Sequence, residues 1–450
     1  MTLDRITKIL LGVFVFFLPW QTSLILRGGL IGKAGTGLVG PWQYGTIQLM
    51  GLDLVVGALC VCVAVRAARG ARPPSGWWRR VDSISLITLL CVAALSILWS
   101  TDRVLALAMT LRLVEGVFLY SLVRSANISL ASIAIPWVVA GCIQAVLGIV
   151  QFAGQEVISS SWLGMAHHAP ENLGDSVVEN ADVRWLRAYG SFAHPNLLGF
   201  HLAASLVFTF WLLGRVREKW HSIFLIAASA LLASGLFFTF SRESWLGLLV
   251  GAVGVLCALI FFRSERGAIA SSDSSRVSGG VVAFVACAIA VSILSAAHWE
   301  PLSARLGFAG VQRLETRSIS ERLGGFAQGV TVFGERIFTG TGIGQYTKVL
   351  FENDVKKKSY QPWFSYQPVH NMLLLVAAEL GIAGGLIFFA FIAAVFIGSG
   401  LVFPPGSLII LVLVAGVFDH FLWSLAPGIL MFWVAVGAAS KPLDKKNEAS

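Results

Sequence analysis

His370-Asn371 stands at the mouth of a long apolar run, Met372–Leu380 continuing into Gly381-Ile382-Ala383-Gly384, directly after the longest polar segment of the chain. An imidazole so placed reaches solvent-borne substrate while the run behind it stays in an apolar phase. It is also the side chain best suited to exchange a proton near neutral pH. Glu379 follows two turns further along the same helix. A second cluster, Tyr189-Gly190-Ser191-Phe192-Ala193-His194-Pro195-Asn196, opens another apolar run. Proline and small polar residues there read as a helix entry, and Ser191, His194 and Asn196 are candidate substrate contacts together with Asn371 and Glu379. His194 and His201, at i and i+7, share a helix face, an unusual decoration for a stripe turned to lipid.

Phe240-Ser241-Arg242-Glu243-Ser244-Trp245 forms a tight turn between two apolar runs. A guanidinium in so short a turn is held nearly rigid and suits two-pronged binding of phosphate, although it can also snorkel to headgroups. Arg322 follows Arg317-Ser318-Ile319-Ser320-Glu321 at the start of the amphipathic stretch Ile319–Gly334, where the plain reading is a solvated helix face. Gly340-Thr341-Gly342-Ile343-Gly344 lacks the spacing and the lysine of a nucleotide loop and reads as a turn. No carboxylate cluster of Mg²⁺ or Mn²⁺ type, no Cys/His set with zinc spacing and no Gly-x-Ser-x-Gly elbow is present, so neither metal nor cofactor is expected. Two arginines and a histidine without a metal suit breaking a bond to an activated, strongly anionic leaving group: guanidiniums stabilise a departing diphosphate while a histidine takes the proton of an attacking hydroxyl. Outside the cytoplasm, a sugar carried on a polyprenyl diphosphate is the natural substrate of that kind.

The elements that must position these groups are apolar. Of 450 residues 56% are hydrophobic and only 13% charged, about half the charge of a soluble domain, and the mean hydropathy is +0.78. The expectation is an all-α polytopic membrane protein. The net charge of +9 is then a matter of topology, and no nucleic-acid partner is implied. All 6 cysteines fall in apolar runs and read as small hydrophobes. Apolar runs of spanning length fall near 6–26, 46–65, 82–99, 104–123, 131–152, 195–213, 221–240, 243–262, 278–297, 371–397, 407–424 and 427–440, about twelve helices. The first is long enough to span and has no cleavage site behind it.

Arg66, Arg69, Arg72, Arg79 and Arg80, then Arg215, Arg217 and Lys219, then Arg263, Arg266 and Arg276, and finally Lys441, Lys445 and Lys446 all fall on one side of such a topology. That side, with both termini, is cytoplasmic by the positive-inside bias. The segments 153–194 and 298–370 then lie outside, the second long enough to hold short helices of its own and to complete an active site. Residues 1–450 read as a single membrane domain, with no convincing internal repeat. The Ser271-Ser272-Asp273-Ser274-Ser275 run reads as a linker. The Trp77-Trp78 pair lies on the cytoplasmic side and is not an outer-face catalytic element.

In order, Ser191-Phe-Ala-His-Pro-Asn196-Leu-Leu-Gly199, Thr239-Phe-Ser-Arg242-Glu-Ser-Trp-Leu-Gly247, Arg322 followed by Gly340–Gly344, and His370-Asn-Met-Leu373 with Glu379–Gly384 resemble the O-antigen ligase and O-antigen polymerase superfamily over roughly 185–397. The resemblance implies a bacterial inner-membrane glycosyltransferase of the GT-C type, metal-independent and inverting. Its donor would be an undecaprenyl-diphosphate-linked glycan, and its acceptor a glycan or a lipid A–core-type molecule. It carries the family's turn arginine onto Arg242, its loop arginine onto Arg322 and its histidine onto His370. Where the family usually leads from the loop arginine to a tryptophan, this chain has Phe326. The same motifs serve polymerases that join lipid-linked repeats. Transport of a small anion such as bicarbonate is a third reading, for which Asp53, Arg112, Glu115 and Asp419 are the intramembrane charges available.

Overall fold

Apolar runs placed in lipid must close their backbone hydrogen bonds internally, and helices do so without a partner. The chain is accordingly a mostly helical membrane protein. The computed structural model describes residues 2–450 apart from 33, 35–37, 71–79, 126, 181–182, 262–273, 309–312 and 442–450, and gives the backbone alone for 258–261, 274–278 and 313–319. Among the expectations above, Arg72, Trp77-Trp78, Arg79, Arg263, Arg266, Ser271-Ser272-Asp273, Lys445 and Lys446 lie outside the described residues.

The helices are α1 (Leu3–Phe17), α2 (Gly51–Ala68), α3 (Val81–Ser96), α4 (Arg103–Arg124), α5 (Ala131–Gly154), α6 (Pro195–Leu213), α7 (Lys219–Thr239), α8 (Arg242–Phe261), α9 (Ser274–Ala297), α10 (Trp299–Leu306), α11 (Arg313–Glu335), α12 (Tyr346–Lys357), α13 (Met372–Ser399), α14 (Pro405–Phe418), α15 (Phe421–Ser424) and α16 (Ala426–Ala439). Among the described residues, 7 are long and apolar enough to cross a membrane: α2, α4, α5, α6, α7, residues 279–297 of α9, and α13. Helices α3, α14 and α16 are shorter and equally apolar.

Three sequence boundaries are corrected, the first being the run 46–65, whose opening residues Ile47–Met50 form a strand before α2 begins at Gly51. The apolar run 6–26 is not one helix: α1 stops at Phe17, and Ser23–Arg27 (β1) pairs antiparallel with Ile47–Met50 (β4). Exposed apolar residues such as Leu24, Ile25 and Leu26 pair with a neighbouring strand as readily as they continue a helix. The run 407–424 is broken as well, because α14 ends at Phe418 and Asp419 adopts an extended backbone. Further short ribbons, Leu30–Ile31 (β2) with Gly40–Pro41 (β3) and Val177–Glu179 (β5) with Arg184–Leu186 (β6), add strand that an all-α reading omits.

Helix α6 sits at the centre, buried on every residue except Phe210. It packs on α5, α7, α8 and α14, while α3 lies along α13 and α4 along α16. Small residues let these helices approach closely: Gly235 of α7 lies against Ala145 of α5, and Gly141 against Ser205 of α6. The connecting segments meet at one end of the bundle. There Gln21 Nε2 donates to Ser191 O at 2.7 Å, Trp42 Nε1 to Thr347 Oγ1 at 3.1 Å, the Asp102 N–H to Gln345 Oε1 at 2.9 Å, and Asn371 Nδ2 to Val417 O at 3.1 Å. At the opposite end Lys441 Nζ donates to the carbonyls of Val123 and Ser125, both at 2.9 Å, which close α4.

Candidate active site

Two features of α13 bring its first turns under the loops. Asn371 caps the helix, its Oδ1 accepting the Leu374 N–H at 2.9 Å. Ten residues on, Gly381 leaves helical geometry at φ 71, ψ −179, a region essentially reserved for glycine. The break frees carbonyls, and the turn after α11 takes them: the Thr341 N–H donates to Ala378 O and the Gly342 N–H to Glu379 O, each at 2.9 Å, while the Ile382 N–H donates to Ile337 O at 2.7 Å. The glycine run 340–344 therefore docks the large loop on a broken helix, which accounts for its composition without a nucleotide.

His370 sits just before that cap, with 28% of its side chain exposed. Its Nδ1 lies 3.4 Å from Asp419 Oδ1, longer than a closed hydrogen bond. His420 packs on the same imidazole, ring centroids 4.9 Å apart, with its own Nδ1 2.6 Å from Ser424 Oγ and with Tyr44 at its edge. Burial, with the neighbouring His370 and Arg322 charges against the pull of Asp419, pushes His420 down to about 3, so it is neutral at physiological pH. Burial opposes the charge on Asp419, yet the His370 beside it holds that carboxyl well below its ordinary value.

Asp419 is oriented from behind. Its Oδ2 accepts Asn196 Nδ2 at 2.7 Å, and Asn196 Oδ1 accepts Arg187 Nη2 at 2.6 Å. Arg187 also donates from Nε to Thr239 O at 2.7 Å, so α6, α7 and the α14–α15 break are joined at one point. The segment carrying Arg187 is fixed by α5: Gln151 Oε1 accepts the Gly190 N–H at 2.8 Å, and Gln144 Oε1 accepts the Ser191 N–H at 2.7 Å. Burial and then the like charge of Arg305 push the Arg187 guanidinium down to about 9. Arg305, from α10, is 8% exposed and donates from Nε to Phe240 O at 3.0 Å, in the turn before α8. The Arg322 charge reaches Arg187 and His420, and with Arg187, Arg305 and Asp419 it also acts on the buried Glu243.

Arg322 and His370 therefore belong to one electrostatic cluster. Arg242 lies at the same end, exposed on the first residue of α8 beside Glu243. The residues expected to contact substrate are placed deeper. Ser191 is 1% exposed and donates to Pro19 O at 2.8 Å, and Asn196 is 3% exposed within the chain just described. His194 caps α6, its Nδ1 accepting the Asn196 N–H at 3.1 Å while Nε2 pairs with Ser176 Oγ at 2.9 Å. Burial and the Arg187 charge push it down to about 3, and the neutral tautomer those two bonds demand is the form present. Glu379 is 4% exposed and accepts Trp423 Nε1 at 3.0 Å. His201 is buried inside the bundle, its ring stacked on Trp137 at 5.0 Å, rather than turned to lipid.

Arg187, Arg305 and His420 escaped the sequence reading. His420 follows Asp419 in what read as the interior of a span, and the signal available was that two polar residues in succession seldom stay inside one. No carboxylate spacing marks a metal site, yet the fold brings donor atoms of His370, Asp419 and His420 within 4.8 Å of one another, close enough to hold a cation among the described residues. The charges considered for transport are otherwise engaged: Arg112 of α4 bonds Asp53 of α2 and Glu115 of its own helix, which ties two helices together.

Residues 227–389, from within α7 to the middle of α13, match the family model described as O-antigen ligase. No curated protein matches the chain.

Proposed function

For a chain whose residues 227–389 match the O-antigen ligase family model, we propose a membrane glycosyltransferase. It moves a glycan from a polyprenyl diphosphate, undecaprenyl diphosphate in bacteria, to an acceptor hydroxyl on the extracytoplasmic face. One observation supports this above the others: Arg187 reaches the His370–Asp419 pair through Asn196, Arg322 acts on the His420 packed beside it, and Arg305 and Arg322 both act on Arg187. Buried guanidiniums that oppose one another's charge are relieved by an anion, and a diphosphate is a dense one. With Nδ1 turned to Asp419, His370 keeps Nε2 for the acceptor. It takes the hydroxyl proton as the oxygen attacks the anomeric carbon and the bond to the diphosphate oxygen breaks, with inversion. The arginines, Arg242 at the rim among them, stabilise the negative charge that builds on the leaving group.

The fold proposed for this reaction is GT-C-like, with about twelve spans and 1–450 as one membrane domain. Segments 153–194 and 298–370 are outside, the second completing the site, and both termini lie on the cytoplasmic face of the inner membrane. The end carrying Lys441 and Arg124 would then be cytoplasmic, in keeping with the positive-inside bias. A polymerase would use the same donor site and differ in acceptor, a second lipid-linked repeat in place of a lipid A–core-type molecule.

The test is transfer from purified lipid-linked donor. His370→Ala is expected to lower turnover about 10²–10⁴-fold, the range for a lost general base, at unchanged protein yield and monodispersity. Turnover should also survive EDTA. Near wild-type transfer by His370→Ala would remove the base. Loss on chelation, restored by a divalent cation, would instead place a metal between His370, Asp419 and His420.

A further inference from the structure

The end of the bundle away from these arginines has a cavity of its own. A groove of about 550 Å³ lies between the first residues of α3, the last turns of α4 and α13, and Ser440 beyond α16. One wall is apolar, because Ala390, Ala393, Ala394 and Ile397 fall at helical spacing on one face of α13. Its polar part is charged. Asp82, 6% exposed, bonds Arg124 and accepts the Tyr120 hydroxyl at 2.8 Å, while Arg80 Nε stands 3.4 Å away. One carboxylate therefore faces two guanidiniums. Arg124 makes both of its hydrogen bonds, to Asp82 and to Tyr120, through Nη1, and its guanidinium lies over the Tyr120 ring. Its Nε and Nη2 are bonded to no other described residue, and Arg124 lines the groove.

We infer that this groove binds an anionic glycerophospholipid of the adjoining leaflet, cytoplasmic in the topology proposed above. The headgroup phosphate lies on Arg80 and Arg124, and one acyl chain lies along the alanine face of α13. Charge complementarity selects the occupant. A wall without polar atoms gives a free anion nothing beyond the two arginines, and a net positive polar end favours an acidic headgroup over a zwitterionic one. The guanidinium fork matches phosphate oxygens, and basic pockets between helices at a membrane surface take acidic headgroups. The volume falls within the ~300–1,000 Å³ of small-molecule sites. Binding there is independent of the reaction at the other end.

The test uses the full-length protein in detergent, titrated with phosphatidylglycerol or phosphatidylethanolamine of matched chains. Bound lipid is read by native mass spectrometry and stability by the melting midpoint. Phosphatidylglycerol should be retained and raise the midpoint, and phosphatidylethanolamine should do neither. Arg80→Gln should weaken retention about fivefold, the equivalent of about 1 kcal/mol for a basic residue at an anionic surface. Ala394→Phe, which fills the apolar wall and leaves every charge in place, should abolish it. Since Arg124→Gln alone strands the buried Asp82, its companion is Arg124→Gln with Asp82→Asn, which should also lose retention. Equal retention of the two lipids, or full retention by both Arg80→Gln and Ala394→Phe, would overturn the site. Inorganic phosphate matching the lipid's shift would reduce it to an anion contact, and a polyprenyl phosphate displacing the phospholipid would reassign it; either result defeats the inference.

Discussion

Asn196 has both ends of its amide bonded, Oδ1 to Arg187 and Nδ2 to Asp419, and each partner carries charge. No other side chain of that size offers one acceptor and one donor in opposite directions, so the residue reads as a coupler between an arginine and the carboxylate that orients His370. Asn196→Asp would present a second carboxylate to Asp419. Asn196→Ala would leave Asp419 Oδ2 without its donor, the His420 N–H remaining on Oδ1. Each is expected to lower turnover about 10- to 100-fold, the rate equivalent of the ~1.5–3 kcal/mol of a hydrogen bond to a charged group, with the donor KM little changed. The decisive reading is kcat at matched amounts of folded protein, and an unaltered kcat in both variants would dismiss the coupling. The sequence singled out Asn196 by its motif but assigned it to substrate, because which way an amide points is set by residues far away in the chain.

Helix α13 shows how an element positions a site by being broken. With its Gly381 backbone at φ 71, any added Cβ would collide with Phe338 O, and a Cβ on Gly340 would collide with Glu379 O. The two glycines let the turn after α11 lie on the kink and hold Arg322's helix against the end of the bundle that carries His370. Gly381→Ala should cost about 1–3 kcal/mol through backbone strain alone. It should appear as a lower melting midpoint in detergent together with reduced transfer, and an unchanged midpoint would count against the kink as the docking point. The glycines were legible in the sequence as a turn and a helical motif. Their mutual contact was not, since neither spacing nor hydropathy records which turn meets which helix.

At the scale of the molecule the question is which end faces which side. The described loops that surround His370 and the ends that carry Arg217, Arg124 and Lys441 lie at opposite ends of the helices. In a chain whose native cysteines are replaced by serine, Ser359→Cys, exposed beyond α12, should react with a membrane-impermeant maleimide on intact spheroplasts. Arg217→Cys, exposed before α7, should react only after permeabilisation. Labelling in the reverse order would invert the topology and move the proposed reaction to the wrong side.

Hydropathy alone determined that the chain is a helical membrane protein, since long apolar stretches admit few other ways to close their backbone hydrogen bonds. The charge asymmetry of the loops pointed to an orientation, and the ordered motifs marked Arg242, Arg322 and His370. The tertiary structure decided what surrounds them. Arg187 enters on a loop segment before α6 pinned by Gln144 and Gln151, Arg305 on a short loop helix, and Asp419 with His420 at a helix break that hydropathy had passed over. Burial and charge at a site depend on neighbours hundreds of residues apart: the Asn196–Asp419 bond joins positions 223 residues apart, a distance over which local pattern carries no information. Periodicity reports which way a side chain faces on its own element, and only packing reports what it meets there.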